Sequence, residues 1–197
     1  MVWLLLMTMR ARSSFMIAVG ALVLAGCAGS APQTFDLSAA KVAPLAGMRG
    51  QLAIREPRAS LNVDSNRIVV RTGADSLAYL GGAQWSDRLP ALFQAKLVQT
   101  FENAHLIKSV SRSGDGISAD YVLEVEIRAF ELDSDRRTAV IDLAVRKLAA
   151  ASGKVVGAKL IHVEQPAAGD SGADAASALD AALSSAFTQI VQFAVRG

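Results

Sequence analysis

The side chains most able to do chemistry near neutral pH are one cysteine, Cys27, and two histidines, His105 and His162. Hydrolysis by a side-chain nucleophile needs that nucleophile, a base and an acid that orients the base. No G-x-S-x-G elbow supplies such a set. Gly114-Asp115-Gly116 lacks the lysine and the strand-to-helix setting of a phosphate loop and reads as a turn. His105 falls at the predicted end of a helix, where a protonated imidazole offsets the helix dipole. His162 sits in a strand of mixed polarity and reads as a partly buried structural side chain. The expectation is no catalytic residue, no metal and no cofactor.

Cys27 is different because of what precedes it. Arg10 and Arg12 lead into an apolar run, Phe15 to Leu24, of signal-peptide length, and the run ends in Leu24-Ala25-Gly26-Cys27. An aliphatic residue, two small residues and a cysteine resemble the lipobox of a bacterial lipoprotein. The small residues admit the chain to the signal peptidase, and the thiol carries the lipid. A single span from Val2 to Ala25 would bury both arginines, at about 2.5 to 3.5 kcal/mol each even on a lenient insertion scale. Translation from Met9 removes that conflict. The predicted organisation is a signal peptide over 1–26, a lipidated tether over 27–49 and a domain over 50–197.

Cleavage before Cys27 takes Lys and Arg from 20 to 18, equal to the 18 Asp and Glu. A formally neutral chain argues against a nucleic-acid partner, which calls for a basic face. With Cys27 acylated no thiol remains for a disulfide. The tether is small and polar and carries Pro and Gly, so the domain is expected to stand tens of ångströms from the bilayer, at about 3 Å per residue. Phe35-Asp36-Leu37 is the one ordered patch expected within it.

The domain is legible by period. Gln51–Glu56, Arg67–Arg71 and Leu77–Leu80 read as strands, and "SLNVDSN" reads as a loop or irregular edge. Asp87 is the predicted N-cap of a helix whose stripe is Leu89, Phe93, Leu97 and Phe101, with Pro90 in its first turn. A strand over 106–110 follows. Tyr121, Leu123, Val125 and Ile127 then alternate with charged residues, as do Ala139, Ile141, Leu143 and Val145, which predicts a hairpin. Its outer charges, Glu124, Glu126, Arg128 and Arg146, read as solvated cross-strand pairs. A strand over 154–164 and an alanine-rich helix from about Asp174 complete an α/β fold with a mixed sheet and two main helices.

With the lipobox, Phe35-Asp36-Leu37, "IREPRASLNVDSNRIVVRTGADSLAYLGGAQWSDRLPALFQAKLVQTFE", "ADYVLEVEIRAFELD" and the alanine-rich last helix, the whole mature chain resembles the PqiC-like ABC-type transport auxiliary lipoproteins. The most specific part runs from Arg67-Ile68-Val69-Val70-Arg71 through Tyr79 to Trp85-Ser86-Asp87-Arg88-Leu89-Pro90. Phe35 keeps the ring of the tyrosine usual there and lacks its hydroxyl. The resemblance implies an anticodon-binding-domain-like or TolB-N-terminal-like sandwich. It also implies work beside an ABC permease, its ATPase and an MCE-type lipid-binding protein, in lipid traffic between two membranes, and lipid such as palmitate on Cys27. Ala28 after the cysteine suggests the outer membrane by the enteric sorting rule.

Such a protein acts through binding. Trp85 suits either a core cap or a surface anchor, and with Tyr79 it gives the segment Gly73–Trp85 the aromatic area that interfaces favour. Arg67 and Arg71 flank a short strand as lipid-phosphate contacts or as solvated edge charges. An exposed edge there would also serve a homo-oligomer. Competing readings are another periplasmic α/β lipoprotein, such as an LPS-assembly lipoprotein or an activator of peptidoglycan synthases, and a lipid-anchored hydrolase.

Overall fold

The computed structural model describes residues 31–43, 48–105 and 107–196, so the leader, Met9 and Cys27 lie outside the described residues. The elements are β1 Gln33–Phe35, β2 Met48–Ile54, β3 Arg58–Ala59, β4 Arg67–Gly73, β5 Ser76–Trp85, α1 Leu89–Asn103, β6 Ile107–Arg112, β7 Tyr121–Asp133, β8 Thr138–Ala149, β9 Val155–Pro166 and α2 Gly172–Arg196.

All nine strands form one mixed sheet with β7 as its spine. On one side β7 pairs antiparallel with β8, and β8 with β9. On the other side three parallel partners divide its length: β2 at Tyr121–Leu123, β3 at Glu126–Ile127 and β4 at Glu131–Asp133. β6 extends the sheet beyond β2, while β5 and then β1 extend it beyond β4.

The predicted alternation sets the core. Leu123, Val125 and Ile127 on β7 and Ile141, Leu143 and Val145 on β8 are buried, whereas Glu126, Arg128 and Arg146 are exposed. A bulge between Ile127 and Ala129 then changes the phase of β7, so that Phe130 and Leu132 are the buried residues of its second half. Both helices share one core with the sheet, and Phe93 meets Phe187 edge-on with ring centroids 4.9 Å apart. α2 is long and apolar enough to cross a membrane by length and composition, but Leu179, Leu183, Phe187 and Ile190 are wholly buried in this core. It is the central helix of the domain.

Two expectations are corrected. The domain begins near Pro32 rather than at residue 50. β1 pairs in parallel with β5, Leu37 and Ala40 are buried, and the Ala40 N–H donates to Thr100 Oγ1 at 3.0 Å, so 32–43 is folded chain and not tether. Asp87 does not cap α1. Arg88 is the N-cap residue, the Leu89 N–H donates to the Ser65 carbonyl at 2.9 Å, and Asp87 accepts from the Arg88 N–H instead. α2 starts at Gly172, close to the expected Asp174, and there Ser171 Oγ accepts from the Asp174 N–H at 3.1 Å and donates to its carboxylate at 2.5 Å. Gly172 opens that helix because a Cβ there would lie 2.7 Å from the Ala83 Cβ.

Lys147 is the least expected core residue, being 2 % exposed. Its ammonium donates to the Ala194 carbonyl at 2.9 Å, in the last turn of α2, and lies 4.3 Å from the centre of the Tyr121 ring. A cation at a helix C-terminus and over an aromatic face is favourable, which offsets part of its desolvation. Burial still pushes its pKa below the ordinary lysine value.

Candidate interaction surface

The helix-free face of the sheet presents every predicted interaction residue except Trp85. Arg67 on β4 lays its guanidinium 3.6 Å from the centre of the Tyr79 ring on β5. Next along β4, Arg71 Nε donates to Glu131 Oε1 at 2.6 Å and Nη1 donates to the Ala74 carbonyl at 2.9 Å. Glu131 is 4 % exposed, and β4 brings it its partner because Val69 is in register with it in the parallel pairing. Arg71 is therefore a structural ion-pair partner and not a solvated edge charge. Arg71→Ala leaves a buried carboxylate unpaired and is expected to cost about 1–3 kcal/mol, with partial recovery in Arg71→Lys, read by urea unfolding.

Of the two readings open to Trp85, core cap and surface anchor, burial selects the core. It is 1 % exposed, with its ring edge-on to Phe130 at 5.9 Å, and its N–H backbone donates to Asn66 across the β4–β5 pair. An indole buried to this degree offers no contact area. Tyr79 remains half-buried and Leu77 is 44 % exposed, so the segment before Trp85 is the part that faces solvent.

The hairpin charges pair differently from expectation. Glu124 stands opposite Arg146 in register, yet its carboxylate takes Arg55 and Arg58 from the neighbouring β2–β3 segment. Glu126 pairs with Arg128 at 3.7 Å on its own strand. Across the same face, Ala144, Ala158 and Leu160 form a small apolar strip bordered by Arg128 and Arg146, and Leu160 is 70 % exposed.

The two histidines stand in separate surroundings. His105 takes a positive φ of 51° just after α1, and its N–H donates to the Glu102 carbonyl. His162 is exposed on β9, with Nδ1 2.6 Å from Asp142 Oδ1 and Nε2 3.5 Å from Glu164, which Arg136 also holds. The Asp142 hydrogen bond raises the His162 pKa above the usual histidine value. A raised pKa contributes stability that is fully present below the unfolded pKa and is lost as pH rises through the folded one. His162 should accordingly titrate above a solvated histidine by NMR, and Asp142→Asn should return it toward the ordinary value. Among the described residues no group of three or more His, Cys, Asp or Glu is placed to hold a metal ion.

Sequence reasoning missed Glu131, although the change of apolar phase from Leu123, Val125 and Ile127 to Phe130 and Leu132 was a signal that could have found it. Lys147 was within reach, since Leu143, Val145 and Lys147 continue one period on the dry face.

The model of the ABC-type transport auxiliary lipoprotein component matches residues 34–191. The chain belongs to this family. Protein XCC0632 from Xanthomonas campestris, of family DUF330, is 25 % identical and superimposes with a TM-score of 0.76, over 83 % of this chain and 95 % of that one. The crystal structure of another uncharacterized protein superimposes with a TM-score of 0.67 at 13 % identity, over 83 % of this chain and 98 % of that one, and shows the shared fold alone. Uncharacterized protein bll6063 from Bradyrhizobium diazoefficiens is 31 % identical over 149 residues, which are 75 % of this chain. This auxiliary lipoprotein spans only 40 % of that relative's length. The mixed sheet with two helices agrees with the fold expected from the sequence.

Proposed function

We propose that this protein is a lipid-anchored envelope component of an ABC transport system that moves lipid, held by acyl chains on Cys27 and working by binding an MCE-type partner beside the permease and ATPase. The observation that carries this reading is the family match over 34–191, following a lipobox that ends at Cys27. Two features support binding over catalysis. The histidines serve a turn and a surface ion-pair network. Among the described residues the sheet also ends at β9 with no strand beyond it, and Val155, Val156 and Leu160 are exposed there. The Ala167 N–H donates to the Arg137 carbonyl, and the register is regular from Thr138–Pro166 to Lys147–Gly157. In such an antiparallel ladder Ala158, Leu160, His162 and Glu164 direct their N–H and C=O away from β8.

Ala28 after the cysteine supports placement in the outer membrane, which separation of the two membranes tests. Deleting the gene is expected to reproduce the envelope phenotype of deleting the permease, with no additive effect in the double deletion. An additive phenotype would assign the protein to a different pathway.

A further inference from the structure

The early start of the fold changes the geometry of the anchor. Gln33 is already paired with Ala83, so five residues, 28–32, separate Cys27 from the sheet. Six peptide steps span at most about 20–22 Å. Further along, Asp36 accepts from Lys96 at 2.7 Å and from Ser86 at 3.0 Å, and the Ser38 N–H donates to Asp180 at 2.6 Å. The entering chain is thus fastened to β5, α1 and α2.

We propose that the β1–β5 flank of the domain rests against the membrane that holds the Cys27 lipid, with the Gly81–Gly82 bulge nearest to it and Leu77, Tyr79 and Arg67 at the headgroup layer. This rests on lipidation at Cys27. The flank suits the place. Between the register pairs Val69–Tyr79 and Arg67–Gln84, β5 throws out an exposed bulge at Gly81 and Gly82, with Gly82 at φ +68°. Among the described residues nothing lies within 4 Å of a Cβ built at either glycine, so the space beside this backbone is open. An exposed leucine, a half-buried tyrosine and an arginine stacked on it are residues that sit well where apolar tails meet polar headgroups. β9 is five strands from β1 across the sheet, about 24 Å at ~4.8 Å per strand, at the opposite edge.

The test uses the acylated full-length product extracted from membranes and returned to vesicles of phosphatidylethanolamine and phosphatidylglycerol containing a headgroup-nitroxide lipid. Because Cys27 is the only native cysteine and is blocked by acylation, Gly81→Cys and Leu160→Cys each provide one labelling site for a fluorophore. The expected result is several-fold stronger quenching at position 81 than at 160. Insertion of twelve Gly and Ser residues after Ala28 should remove the difference. Equal quenching in protein that floats with the vesicles overturns this inference and leaves lipidation standing. Protein that lacks the acyl mass and fails to float overturns lipidation, and the inference with it. Disulfide-linked dimers of Gly81→Cys in the envelope would give the flank to a second copy and also overturn it.

Discussion

Trp85→Ala is expected to lower the melting temperature by roughly 6–20 °C, from a loss of about 3–5 kcal/mol at about 2–4 °C per kcal/mol for a domain of this size. The indole is 1 % exposed and joins β5 to the core through its edge-on contact with Phe130. Its backbone is paired on both sides of β5, to Phe35 of β1 in register and to the Asn66 carbonyl. Removing the ring opens a cavity where the entering chain is fastened, so β1 should loosen along with the core. Hydrogen exchange is expected to show early loss of protection at Phe35 and Ser86, whose amide donates to the Phe35 carbonyl at 2.7 Å. Trp85→Phe keeps most of the apolar area and should recover more than half of the loss. A variant that melts like the parent would refute the core assignment.

The second large effect is on location. Cys27→Ser removes the thiol that accepts the lipid and is expected to leave the protein unprocessed or to release it from the membrane fraction. Each buried CH₂ is worth about 0.8 kcal/mol, and a single acyl chain already gives reversible binding, so several chains make an anchor that washing does not break. α2 offers no substitute anchor, because its apolar face is spent on the sheet. A serine variant that is correctly cleaved and stays in the membrane pellet would contradict lipidation.

Much of this fold was legible in the sequence because Leu123, Val125 and Ile127 of β7 and Ile141, Leu143 and Val145 of β8 recur with a period of two and α1 carries a clean stripe. What escaped was set by contacts distant in sequence. β1 is three residues long and has no period of its own, and it is a strand only because β5 offers it an edge. The cap of α1 was misplaced because the carbonyl that satisfies Leu89 comes from Ser65, in a loop without a helix signal. Trp85 allowed two readings from sequence, since an indole before a helix suits core and surface alike, and only burial decides. The Arg71–Glu131 pair depends on a bulge that shifts which residues of β7 face the neighbouring strand. Of the proposed interaction residues, Tyr79 and Arg67 keep a solvent-facing place, Arg71 is engaged with Glu131, and Trp85 does not face solvent.

The most direct test of the central claim is affinity purification of the tagged, full-length protein from mildly solubilised envelopes after brief crosslinking, with the permease, the ATPase and the MCE-type protein quantified by mass spectrometry. The account predicts that all three are enriched with the wild-type protein, that the enrichment persists in His105→Ala and His162→Ala, and that it falls when Cys27→Ser detaches the domain from its membrane. Recovery of the wild-type protein without any of the three, from envelopes in which the permease and ATPase still purify with one another, would contradict it.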